Sequence, residues 1–401
     1  MTAISVLRHK DYRSLWLASA GTVIASQILA IAVAWDVYTS TGSAVDLGLL
    51  GLARGVPLVV LPLVGGAVAD LYDRRRVVVL SQLLLLVACV ALALDAAGRF
   101  WLPLVYLCVA LAATASSFET PTRNAAIPRL VPAEELAGAL TLGSLTRQVG
   151  FVVGPGVGGL LLGLTQREAP YVVAAGLALG AVVATSVVPP LPPATHIRTS
   201  AAAAVAAGLQ YIRSDRLVLG LIALAVAPNT VGATSALLPI FARDVLHVGG
   251  GGLGVLAAAG SAGALAGGLA LASRRAIPRP LTVVVGATYA IGLCLLGFAL
   301  SRALLLSMAF LFAAGIASVV TEVTRSTALL LHAPDELRGR VTSVLQIVLV
   351  GGPQLGGFEQ ASLASLAGPV GAGVFAAAAV AVATTASSQL TRQRDSVPVS
   401  P

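Results

Sequence analysis

Six ionisable residues fall inside long apolar stretches of this 401-residue chain: Asp36, Arg54, Arg147, Glu322, Arg325 and Glu359. Charge at membrane depth is expensive and marks function by default. A carboxyl there can gain a proton on one side and lose it on the other when burial or a nearby arginine shifts its affinity. Asp36 and Glu359 are the leading candidates for such a proton carrier, with Glu322 behind them. Buried arginine is a bidentate ligand for carboxylate or phenolate oxygens. Arg54 and Arg147 therefore suit an anionic or hydrogen-bonding amphiphile, unless Glu359 or Asp36 neutralises them. Glu322 and Arg325 are three residues apart and can pair, as can Glu119 and Arg123 in the first half. The plainer alternative for both pairs is a static ion bridge near an interface, and for Asp36 an interfacial carboxyl touching water.

The elements that must position these residues are apolar runs. Hydrophobic residues make up 57% of the chain and charged ones only 10%, against about a quarter charged in soluble domains. A helix rising ~1.5 Å per residue crosses a ~30 Å hydrocarbon core in about 20 residues. Runs of suitable length predict twelve spans, at 14–36, 46–69, 77–97, 101–118, 136–164 and 171–188, then 217–241, 253–272, 281–300, 304–331, 341–366 and 370–387. The fold class is an all-α membrane protein with two six-helix bundles: residues 1–188 and 216–388, with a cytoplasmic linker at 189–215 and a cytoplasmic tail at 389–401. The linker is rich in proline, and its stretch 200–212 is helix-permissive.

Arginine placement tests the count. Twelve spans put Arg74, Arg75, Arg76, Arg213, Arg274 and Arg338 on one side, with many more, and leave Arg99, Arg167, Arg243 and Arg302 on the other. The positive-inside bias makes the first side, and both termini, cytoplasmic. The halves also repeat. PAEELAG at 132–138 is echoed by APDELRG at 333–339, and GPGVGG at 154–159 by GPQLGG at 352–357. Two halves related by a pseudo-symmetry axis, with substrate at their interface, is a transporter architecture.

Two loops and helices carry sharper motifs. Between the second and third spans lie Gly66, Asp70, Arg74 and Arg75. This glycine–acid–basic pattern resembles the cytoplasmic loop motif of the major facilitator superfamily. The resemblance implies a cytoplasmic gate in which the Asp70 loop meets the start of span eleven, a helix N-terminus favourable to a carboxylate; a solvated topogenic loop is the simpler reading. In span five, Gly154 and Gly158 share a helix face suited to close contact, and Pro155 between them removes a backbone hydrogen bond. This resembles the Gly-Pro antiporter motif of exporters in that superfamily, beside the alternative of a packing seam without directional meaning. TPTRNA at 120–125, LRGRV at 337–341 and GGPQLG at 351–356 resemble the bacterial branch that holds the enterobactin exporter and macrolide and multidrug efflux carriers. That branch implies proton-coupled efflux of a siderophore or drug-like molecule by alternating access.

Other classes find little support. The formal charge of +8 is spread over the ends of apolar runs, which argues against a nucleic-acid partner. Cys89, Cys108 and Cys294 sit in apolar runs, and the four histidines form no metal set. No Walker loop or nucleophile elbow occurs, so neither an enzyme nor a cofactor is expected. The expected partners are a small-molecule substrate, protons and the lipid bilayer of a bacterial cytoplasmic membrane, with the protein monomeric. An uptake carrier or facilitator, or a non-transporting membrane sensor, are the competing functions.

Overall fold

The computed structural model describes residues 3–61, 72–192, 201–230, 232, 234–273 and 279–392. Among them the regular secondary structure is helical throughout. In chain order the helices are α1 (Lys10–Thr41), α2 (Ala44–Val60), α3 (Arg74–Ala97), α4 (Leu102–Ala126), α5 (Leu136–Leu164), α6 (Ala169–Ser186), α7 (Ala201–Ser214), α8 (Arg216–Asn229), the single turn α9 (Leu237–Ile240), α10 (Gly249–Ala272), α11 (Pro280–Leu300), α12 (Leu304–His332) and α13 (Asp335–Arg392). Nine helices among the described residues are long and apolar enough to span a membrane. The longest, α13, runs for 58 residues but breaks at Gly368, whose φ of 74° is left-handed and is followed by Pro369. It therefore consists of two arms, because Pro369 lacks the amide a continuous helix needs. With those arms and the shorter α2 and α8, the fold is compatible with twelve spans.

Local sequence explains where the helices start and stop. Asp73 accepts from the Arg76 amide at 3.2 Å and caps α3, and Asp215 accepts from the Leu217 and Val218 amides to cap α8. Each carboxylate satisfies amides that the first turn leaves without helical partners. Gly42 closes α1 in a left-handed conformation, its amide bonded to the Tyr38 carbonyl. The helix-permissive stretch of the linker is α7.

The chain forms two compact units. Unit 1 comprises Met1–Gly42, Ala53–Arg198 and Val248–Ala258. In it α1 packs on α5 and α6, and α3 on α4 and α6. Unit 2 comprises Ser43–Leu52, Thr199–His247 and Ala259–Pro401, with α11 packed on α12 and α13, and α13 also on α7 and α8. Many large apolar side chains, such as Leu80, Leu94, Leu293, Leu305 and Leu366, are exposed. Such residues on long apolar helices are what a lipid-facing surface requires.

Candidate functional site

The ionisable residues of the spans divide into held and unheld groups. Asp36 is 4% exposed. Its Oδ2 accepts a 2.7 Å hydrogen bond from the Tyr171 hydroxyl on α6, and its Oδ1 lies 3.1 Å from Arg167 Nε. Arg167 also donates to Ser40 Oγ at 2.8 Å and stands 4.8 Å above the Phe100 ring. Asp36 is thus a buried member of an ion pair. The expected Glu119–Arg123 pair is present on α4 at 3.4 Å, with both side chains buried.

The expected Glu322–Arg325 bridge does not form. Arg325 is 1% exposed and Glu322 is exposed, with no contact between them within ion-pairing distance. Three residues along a helix leave the two side chains about 60° apart around its axis. Here that offset sends arginine into the packed side of α12 and glutamate out of it. The buried Nε of Arg325 has no hydrogen-bond partner among the described residues. Glu359 on α13, Arg54 on α2 and Arg147 on α5 are partly buried, and none makes a hydrogen bond or ion pair with another described residue.

Of the expected gate motif, Gly66 and Asp70 lie outside the described residues. Arg74 is buried and donates to the Ala125 carbonyl at 2.8 Å, while its amide donates to the Leu191 carbonyl at 3.0 Å. Arg75 donates to the Ser186 carbonyl. These arginines therefore tie the start of α3 to the last turns of α4 and α6, satisfying helix-end carbonyls with cationic donors.

The Gly-Pro segment of α5 is buried at Gly150, Gly154, Pro155, Gly158 and Gly159. A Cβ at Gly150 would lie 2.5 Å from Val23 Cγ1, and Cβ atoms at Gly154 and Gly158 would overlap Gln27 and Ile31. The glycines 150, 154 and 158 are thus where α1 seats. Gly159 turns to another neighbour in unit 1, the backbone of Gly254 on α10. Close backbone approach of this kind needs small residues on both helices.

One cleft of about 200 Å³ opens within unit 1, between α1, α4 and α5. Tyr12, Leu15, Trp16 and Ser19 line it from α1, Arg123 and Asn124 from α4, Ile127 just beyond it, and Leu140, Gly143 and Arg147 from α5. The Tyr12 hydroxyl donates to the Ala139 carbonyl at 2.8 Å, and Trp16 Nε1 to Thr146 Oγ1 at 2.7 Å. Both rings are thereby anchored to α5 by their polar ends. Arg123 and Arg147 both line this cleft.

Outside the spans, unit 2 holds a further carboxylate pair. His332 Nε2 lies 3.0 Å from Asp215 Oδ2. Burial alone would raise the Asp215 pKa, but the His332 hydrogen bond and charge and the amides of Val218 and Leu217 outweigh it, leaving the carboxyl below its ordinary value.

Tyr12, Trp16, Asn124, Arg167, Tyr171 and the Asp215–His332 pair carry no site role that the sequence alone assigns. A signal existed for the cleft. Positions 12, 15, 16 and 19 follow the i, i+3, i+4, i+7 pattern of a single helix face. Nothing local marks Tyr171, which meets Asp36 across 135 positions.

The chain matches the transmembrane secretion effector family over residues 1–397. It belongs to that family, within the major facilitator superfamily. The secretion effector family comprises multi-pass membrane transporters rather than an enzyme class. Curated relatives include the enterobactin exporter EntS of Shigella boydii and of Escherichia coli, each 28% identical over 375 residues, which is 92% of this chain and 88% of the relative. Solved structures similar to this chain include a point mutant of the nucleoside transporter NupG, with TM-score 0.78 and 13% identity over 95% of this chain and 99% of that one. A bacterial homologue of the human lysosomal transporter Spinster matches with TM-score 0.70 and 16% identity over 96% and 94%. Those structures share the helical transporter fold.

Proposed function

We propose that this secondary transporter exports a small amphiphilic molecule, a siderophore or drug-like compound, by proton antiport through alternating access. The observation that carries export is the likeness to EntS along 92% of the chain, together with the Gly-Pro segment at Gly154, Pro155 and Gly158. Glu359 is the proposed proton carrier. It is a partly buried carboxyl with no hydrogen bond or ion pair to another described residue, whereas Asp36 is committed to Arg167 and Tyr171. A carboxyl free of a fixed counter-charge can change protonation at lower cost than one held ionised by arginine.

The remaining roles follow from this reading. Gly66, Asp70, Arg74 and Arg75 form the cytoplasmic gate. Residues 1–188 and 216–388 move as the two bundles, and the monomer sits in a bacterial cytoplasmic membrane with both termini inside.

Purified protein in liposomes with an acidic lumen tests the proposal. Catecholate siderophores, macrolides and cationic dyes are offered outside, and their uptake is followed together with luminal pH. Accumulation of one compound against its gradient, with the lumen losing acid and with loss of both on adding a protonophore, is the expected result. Movement indifferent to the pH gradient would make the protein a facilitator.

A further inference from the structure

We infer that the cleft between α1, α4 and α5 is a binding subsite for an aromatic anion, a single arylcarboxylate or phenolate arm of a larger ligand, with Arg147 as its charge partner. For its role as a capture point the inference rests on the export reading; the binding itself does not.

Charge sets the sign of the ligand. Two arginines share the cleft, and only one is neutralised: Arg123 lies 3.4 Å from Glu119. Arg147 has no hydrogen-bond or ion-pair partner among the described residues, although it is only partly exposed. The cleft therefore carries one uncompensated positive charge, which repels cations and is relieved by one anion. A planar guanidinium offers two parallel donors to a carboxylate.

Shape and composition set the rest. Trp16 and Tyr12 line the cleft with Leu15, Ile127 and Leu140. Because the polar ends of both rings are bonded to α5, their positions are fixed before any ligand arrives. Rigid aromatic walls beside a cation favour a flat aromatic group over an alkyl chain. Sites for whole drug-sized ligands run to roughly 300–1,000 Å³. A cleft of about 200 Å³ thus takes one ring with its acidic group. Asn124 adds a side-chain amide able to donate to a second ligand oxygen.

The test reads Trp16 directly. The chain has three tryptophans, so Trp35→Phe with Trp101→Phe leaves Trp16 as the single reporter in phosphatidylcholine nanodiscs. The probes are 4-nitrobenzoate, 4-nitrobenzyl alcohol and 4-nitrobenzylamine, which share one quenching ring and differ in charge. The inference predicts saturable quenching by the benzoate at a concentration at least about tenfold below that of the other two. It further predicts that Arg147→Gln removes this preference and Arg147→Lys keeps part of it. Equal quenching by all three probes, or benzoate preference unchanged in Arg147→Gln, would overturn it. So would loss of benzoate quenching when phosphatidylglycerol replaces part of the lipid, since an anionic headgroup would then be the true occupant. The comparison of probes on the unsubstituted Arg147 protein stands even if both variants misfold. Because no transport is measured, quenching without export, or export without quenching, separates this inference from the functional one.

Discussion

The hydroxyl of Tyr171 donates a 2.7 Å hydrogen bond to the Asp36 carboxylate, which also faces Arg167 at 3.1 Å. This joins the last turns of α1 to the first turn of α6. Hydrogen bonds to charged groups are worth about 1.5–3 kcal/mol. Tyr171→Phe should therefore lower the thermal unfolding temperature in detergent, and Arg167→Gln should lower it further by leaving the carboxylate without its cation. Unchanged melting in both variants would remove this network from the account of stability.

The glycine seam gives a steric prediction. A side chain at Gly154 meets Gln27 and one at Gly158 meets Ile31, so Gly154→Val and Gly158→Val should each cost about 1–3 kcal/mol through overpacking. Gly180 has nothing within 4 Å of a built Cβ. Gly180→Ala should be neutral or stabilising by up to ~1 kcal/mol, since alanine loses less backbone entropy in a helix. Comparable losses at all three positions, measured by melting, would contradict the assignment of the cost at 154 and 158 to contact with α1.

Arg325 predicts a trade between stability and activity. Its buried Nε lacks a hydrogen-bond partner among the described residues, a situation that costs about 1–3 kcal/mol. Replacement by an apolar residue of similar length, Arg325→Met, should leave melting unchanged or raise it while reducing transport. A strongly destabilised Arg325→Met would mean that the guanidinium is well satisfied in the folded protein.

Much of the fold was legible because membrane spans are written in composition. The run 136–164 is α5 to the residue, and the break at Gly368–Pro369 separates the two arms that the apolar runs at 341–366 and 370–387 predict. What was not legible came from orientation around helix axes. Spacing alone paired Glu322 with Arg325, but a three-residue offset let packing bury one and expose the other. Likewise Asp36 stood as a candidate proton carrier, with an interfacial carboxyl as the alternative, because its partners Arg167 and Tyr171 lie more than 130 positions away. Arg147 was visible as an in-span charge. That it shares a cleft with Trp16 and Arg123 depends on three helices meeting, which no single stretch encodes.

A pH dependence follows from Asp215. Its carboxyl is held below the ordinary 3.8, with the His332 contact opposing the cost of burial. The stability it contributes is complete above the unfolded value and is lost as pH falls through the lower folded one. Asp215→Asn retains a capping side chain but loses the charge, so it should melt lower than the parent near neutral pH by at most about 1 kcal/mol, the scale of a partly exposed pair. The difference should shrink below about pH 3.8. A difference that grows on acidification would contradict this sign.

If protons drive export through Glu359, substrate-coupled proton flux in liposomes should be lost in Glu359→Gln. The variant should fold and still equilibrate substrate down its gradient, but neither accumulate it from an imposed pH gradient nor release luminal acid when substrate is added. Accumulation and acid release equal to those of the parent protein would contradict it.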